Sequence, residues 1–388
     1  MSRALCVVSR RGPAALATTL RLTVFITLAP FVGATPAVSF AADGDWPVFR
    51  GDALGTGVAR SELPQKLEVL WKFQPGKAAF EATAVIVDGV VYVGSLDGDF
   101  YALDLADGHE KWKFHTELGF ASAAAVKDKH VFVGDGEGRF YCLDAADGHV
   151  VWGFEAGAEV SGGANFWRDL VLFGSQDSTL YALKAASGEL VWKFAIGDQI
   201  RCMPTVVDDR AFLAGCDAKL HVIDLTKGEE VASVAIDGPT GSTPAVLGDR
   251  LFFGTVSSSV FGIDWRAAQT AWSVNAGRGQ EIRSSPAATA EAIFIGGRDK
   301  VLWALHPDSG ETRWQFTAKS RIDSSPVVVG QRVFFGTGDG RLLAVDRASG
   351  EQQWEYELGG DVSASPAVAA GRLVIGSKRG TLYCFGKK

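Results

Sequence analysis

One short phrase governs this chain. It reads DGHEKWKF at 107–114, DGHVVWGF at 147–154 and SGELVWKF at 187–194. Aligned on its aromatic, the phrase returns at Trp71, Trp112, Trp152, Trp192, Trp272, Trp314 and Trp354. Ala232 stands at the one place where the aromatic is missing, and every step is 40–42 residues. A pitch of that length marks a repeat in which each unit buries its apolar face against the next copy.

Each unit reads as four short strands. A small-residue segment comes first, such as TPAV at 243–246, SPVV at 325–328 or SPAV at 365–368. An apolar run ending in glycine follows (VYVG, VFVG, LFFG, VFFG), then an alternating segment such as DFYALD or RLLAVD, then the phrase with the tryptophan. Turn signals separate them about every ten residues. Four strands per unit make one propeller blade. The chain opens on an outer segment, LEVLWKF, and closes on three inner ones, SPAV, LVIG and TLYCF. Joined, the two ends complete one blade and leave no unpaired edge at the closure. The predicted fold is all-β: a single eight-bladed β-propeller with four-stranded blades, closed by N- and C-terminal strands, over 67–388. In the turn ALDLADG, Gly108 is expected at positive φ. The tryptophans are expected to dock on the next blade with the indole N–H bonded across the seam. Ala232 then leaves one seam short of an aromatic, and Ala232→Trp should stabilise the fold unless Trp265 fills that space.

The first 41 residues differ from the rest. Arg3, Arg10, Arg11 and Arg21 come early, with no acid before Asp43, ahead of the apolar run LTVFITLAPFVGA and the small-residue stretch VSFAAD. That pattern predicts a secretory signal peptide over 1–41, cleaved near Ala41 or Ala42, and a periplasmic or secreted product. No cysteine marks a lipoprotein, and no stable membrane span is expected after cleavage. Residues 42–66 read as a lead-in segment. Losing four arginines and no acid takes the formal charge from −7 to −11. With no basic block, nucleic acid is not an expected partner. Cys142, Cys202, Cys216 and Cys384 show no metal spacing. They read as small buried thiols, with a Cys202–Cys216 bridge as the alternative in an oxidising compartment.

The phrase A-x-D-x-x-x-G-x-x-x-W, seen here as ALDLADGHEKW, ALHPDSGETRW and AVDRASGEQQW, resembles the tryptophan-docking motif of the pyrroloquinoline-quinone (PQQ)-like propeller family. The lead-in DWPVFRGDALGTGVA (45–59) is similar to that family's N-terminal segment. The resemblance covers nearly the whole chain after residue 41. It implies two branches of function, quinoprotein dehydrogenases and non-catalytic members such as the outer-membrane assembly factor BamB. In the dehydrogenases it implies calcium and quinone on the axis, an aspartate base and often an adjacent-cysteine disulfide. This chain has no Cys-Cys pair, no CxxCH, no long insertions and no segment matching the catalytic aspartate. The resemblance therefore points to the BamB-like branch. The expected product is a monomeric, non-enzymatic scaffold that binds an envelope protein, with no catalytic, cofactor or metal residue assigned. A PQQ- and calcium-dependent dehydrogenase or a small-ligand binder is the alternative.

Residues just before each innermost strand should face the axial mouth. They include Glu81, Glu159, Gln199, Arg201, Glu281, Arg283, Arg321, Asp323 and Asp361. Such a mixed-charge ring either pairs with itself or holds a ligand or partner. Arg201, Arg283 and Arg321, from blades four, six and seven, could converge on an anion. His109 and His149 read as exposed turn residues, His306 as a turn-holding substitute for aspartate, and His115, His130 and His221 as isolated. Phe166, Trp167, Trp265 and Trp303 fall outside the docking set; they read as seam fillers or as a glycan-binding surface.

Overall fold

The structure, a computed structural model, describes residues 44–388, so the expected signal peptide lies outside the described residues. Thirty-two strands form eight four-stranded antiparallel sheets, and no helix occurs among the described residues. Blades 1 to 7 run in chain order from Val85 to Glu357. Blade 8 combines the strands Ala367–Ala369, Arg372–Gly376 and Leu382–Gly386 with Glu68–Phe73 from the other end of the described chain. The predicted closure is therefore present, with Trp71 opposite Cys384 in that joint sheet.

The docking contact has the expected form. The indole N–H of Trp71, Trp112, Trp152, Trp192, Trp272 and Trp314 donates to the carbonyls of Leu105, Ala145, Ala185, Leu225, Pro307 and Arg347 in the next blade, at 2.8–3.2 Å. Each ring also lies on the glycine that ends the next blade's turn. A Cβ on Gly108 would stand 2.7 Å from the Trp71 ring, and Gly108 has φ +77°. That glycine is required twice, for its left-handed backbone and for its bare face. Within its own sheet each tryptophan sits opposite a small residue of the third strand: Ala102, Cys142, Ala182, Gly262, Ala304, Ala344 or Cys384. The outer strand bulges by one residue beside it. Cys142 and Cys384 are thus small space-savers, and burial pushes both thiols up to about 12.

Two seams depart from the pattern. Trp354 faces blade 8, whose third and outer strands come from opposite ends of the chain, so no turn and no glycine seat exist there. Its ring instead packs among Phe334, Tyr356 and Phe385. At the Ala232 seam the tryptophan comes from the other side. Trp265 occupies the position that elsewhere supplies the accepting carbonyl, is 8% exposed, packs on Phe212 and donates to Gly248 O at 3.0 Å. Val222 replaces the small residue opposite Ala232, and the turn glycine becomes Ala268. The seam is not underpacked.

The lead-in threads the inner edges of the blades. Carbonyls of Trp46, Pro47, Ala53, Leu54, Thr56 and Gly57 accept in turn from the amides of Ile86, Val126, Val206, Val246, Ala288 and Val328, on six different blades, at 2.8–2.9 Å. Blade 3 uses a side chain instead: Asn165 Oδ1 accepts from Phe166 N–H, and its amide donates to Ala53 O and Pro204 O. Inner-edge amides that would otherwise lie buried and unpaired are satisfied this way. Arg50, 1% exposed, donates to the carbonyls of Pro286 and Pro326, joining blades 6 and 7 through one guanidinium.

These contacts set two expected outcomes in thermal melts. Ala232→Trp overpacks the seam and lowers stability by about 1–3 kcal/mol, whereas Ala232→Trp combined with Trp265→Leu restores the ordinary docking arrangement and recovers most of that loss. Arg50→Met leaves two buried carbonyls without a donor and costs about 1–3 kcal/mol for each. Melts in which the double variant is no better than Ala232→Trp alone would refute the seam assignment.

Candidate functional site: the axial mouth

Two segments of each blade reach the mouth: the residues before the innermost strand, and the turn between the second and third strands. Below them lies a belt of hydroxyls. Backbone amides of Met203, Thr243, Ser285, Ser325 and Ser365 donate to the side chains of Thr243, Ser285, Ser325, Ser365 and Thr83, each on the following blade, at 2.9–3.1 Å. Blades 2 and 3 carry Ala123 and Gly163 at that level, and Phe49 of the lead-in takes the space, with a Gly163 Cβ position 3.1 Å from its own Cβ. Phe49 and the belt form the floor of a recess of about 320 Å³.

Of the nine residues expected at the mouth, six line this one recess: Glu81, Arg201, Arg283, Arg321, Asp323 and Asp361. Glu281 joins them as the shared partner of Arg283 at 2.7 Å and Arg298 at 3.2 Å. The chain of charges continues from Arg298, whose guanidinium grips Asp323 with two bonds at 2.8 and 3.1 Å, to Arg321, which bonds Asp323 at 3.0 Å and also Asp361. Lys378 holds Glu81 at 3.0 Å. Arg201 is exposed and bonds only the side chain of Gln199, at 3.0 and 2.6 Å. Arg321 is thus engaged by two carboxylates, and the three arginines do not share one centre. Arg298 and Lys378 were not singled out from the sequence. Both occupy the second-to-third strand turn, in the register of Gln176, and superposing the turns GGRDK, GSKRG and GSQDS would have found them.

Burial pushes the Asp323 carboxyl up, but hydrogen bonds and charge from Arg298 and Arg321 outweigh it and hold the group below its ordinary value. The bond to Asp323 likewise raises Arg298 despite burial. A carboxylate whose folded-state pKa is depressed contributes stability above its unfolded pKa and loses it as pH falls. Asp323→Asn is therefore expected to lower the melting temperature at neutral pH, and the gap from the parent should close as pH falls through the carboxylate range. A gap that stays constant with pH would contradict this.

Other sequence candidates settle elsewhere. His221 is not isolated. It is buried between Glu230 at 2.7 Å and Asp217 at 3.0 Å, in the position that blades 1 to 3 give to a tyrosine. His115 faces Asp99 at 2.8 Å. His306 accepts from Asp308 N–H at 3.2 Å, as expected of a turn-holding residue. His149 is exposed as expected, although its ligand atom lies within 4.8 Å of those of Asp144 and Asp147 in the same turn. Cys202 and Cys216 are free thiols directed at different carbonyls, Ala214 and Thr240, so the alternative bridge is not formed. Phe166, Trp265 and Trp303 are buried in the seams, and Trp167 lies half-buried under Arg168 at 4.1 Å, which removes the basis for an aromatic glycan surface.

The fold and the docking turns define an eight-bladed propeller of the tryptophan-docked class. A family model described as "Outer membrane protein assembly factor BamB" matches residues 68–178, 116–194 and 176–388, and the chain belongs to that family. A search of curated proteins returns no match. Among solved structures, BamB from Moraxella catarrhalis is 20% identical, with a TM-score of 0.71 over 83% of this chain and 98% of that one. Quinohemoprotein alcohol dehydrogenase from Comamonas testosteroni is 17% identical, with a TM-score of 0.74 over 90% and 82%. The computationally designed Ika8 protein is 16% identical, with a TM-score of 0.73 over 82% and 100%. At these identities the likeness is one of fold, and it joins BamB, a designed protein and an alcohol dehydrogenase alike.

Proposed function

We propose that this protein is a non-catalytic binding scaffold of the bacterial envelope, exported to the periplasm, where it engages another protein through the axial mouth. The observation that carries the reading is the state of the charges in the recess. Of the five bases that line it, four already hold carboxylates, and the acids Glu81, Asp323 and Asp361 each face a lysine or arginine. Calcium takes six to eight oxygen ligands, and a set of three lining acids already engaged by lysine and arginine fits it poorly. A self-paired wall on a closed ring suits a rigid surface recognised from outside. No helix among the described residues is long and apolar enough to cross a membrane.

The test is a titration of the purified protein with PQQ and calcium, followed by calorimetry and visible absorbance. The expected outcome is no saturable, calcium-dependent binding at high micromolar quinone. Saturable binding that weakens in Arg283→Ala or Arg321→Ala would overturn the scaffold reading in favour of a quinoprotein.

A further inference from the structure

The mouth is chemically lopsided, and its two sides suggest what it takes. Over blades 1 and 2 the rim presents two exposed leucines. Leu118 is 54% exposed and Leu96 41%; Gly119, Ala121 and Gly136 put nothing larger than a methyl group around them, and the exposed acids Glu117 and Asp97 adjoin them in the chain. The leucines are neighbours along the rim, since a Cβ on Gly119 would strike the Leu96 backbone and one on Gly136 would meet Leu118. Below this arc lie Ala123 and the Phe49 ring of the floor.

Across the recess, blades 4 to 6 present cations with spare capacity. Among the described residues, Arg201 has no carboxylate within ion-pair distance. Arg283, half-exposed, shares its one carboxylate, Glu281, with Arg298. Between these two arginines blade 5 contributes only Gly241, whose missing Cβ would stand 3.3 Å from that of Arg201. A chain of net charge −7 thus keeps a local positive arc at this one rim. The volume, about 320 Å³, is at the low end for sites that enclose a whole small ligand. It suits one or two side chains reaching in from a larger body.

We infer that the mouth docks an extended loop or tail of a partner polypeptide that presents an apolar side chain to Leu96 and Leu118 and a carboxylate to Arg201 and Arg283. This rests on the scaffold reading and deepens it. The apolar contact supplies area removed from water. The carboxylate supplies register, because a guanidinium fork accepts a planar anion in few orientations. The paired wall of blades 6 to 8 fixes Arg283 through Glu281, which Arg298 shares, while Arg201 meets no carboxylate of the wall.

The experiment pans a phage-displayed library of random dodecapeptides on the full chain and measures the selected peptides by calorimetry. Enriched peptides should combine an acidic residue with a large aliphatic or aromatic one. Their affinity should fall roughly 10–100-fold in Arg201→Gln, fall comparably in Leu118→Ser, and hold in Val191→Ser, which alters an exposed apolar residue on an outer strand away from the mouth. All three sites are solvent-facing, so unchanged thermal melts separate lost docking from lost folding. The inference is overturned by no enrichment, by enriched peptides without an acid, by binding indifferent to Arg201→Gln and Leu118→Ser, or by citrate alone binding as tightly as the peptides. Any of these together with a negative PQQ titration would sink the docking site and leave the scaffold reading standing. A positive titration sinks the scaffold reading itself.

Discussion

The ring depends on one contact made over and over, an indole laid on the bare backbone of the next blade's turn with its N–H on a carbonyl of that same turn. The contact couples two blades through a rigid aromatic that loses little conformational entropy. It sets three local requirements at once: a positive-φ glycine under the ring, a small residue opposite the tryptophan, and a bulge that aims it. Where one requirement changes, the others change with it. The seam with Ala232 has Val222 for the small residue, Ala268 for the glycine, and Trp265 supplying the aromatic from the opposite side. This correlated exchange keeps the seam filled without keeping the motif.

Closing eight blades into a ring creates a second problem at the axis. Eight innermost strands meet with their free edges inward, where water is scarce. The lead-in satisfies most of those amides with its own carbonyls, and the hydroxyl belt satisfies the level above. Arg50 serves the same purpose from the other side of the hydrogen-bond ledger, donating to carbonyls that no strand can reach. The lead-in is thus part of the fold, and it turns an open channel into a recess with a floor.

That recess inherits its chemistry from the blade geometry. Because every blade delivers the same two segments to the mouth, residues far apart in the chain become neighbours around the rim. Glu281, Arg298, Asp323, Arg321 and Asp361 form one continuous path of opposite charges across blades 6 to 8. Half-buried and interlocked, they behave as a network, which holds geometry better than isolated exposed pairs do. The opposite side of the mouth, with Arg201, Leu96 and Leu118, is left less committed.

Much of this was legible in the sequence. The pitch of the tryptophans, the turn residues and the unmatched strands at the two ends determined the all-β class, the blade count and the closure, because those features are local and repeat eight times. Which residues reach the mouth was also legible, since position within the repeat decides it. The sequence did not show how those residues would pair: Arg321 caught between two acids, Arg298 and Lys378 joining from the other turn, and Arg201 left with only an amide. It also hid that Trp265 replaces the aromatic lost at Ala232, that His221 bridges two carboxylates and that Cys202 and Cys216 point apart. Most of these depend on contacts between blades, whereas the two partners of His221 lie in its own blade, in the turn before its strand and on the neighbouring outer strand. Periodicity places a residue in its own unit, but only the closed ring brings the next unit's side chains within bonding distance.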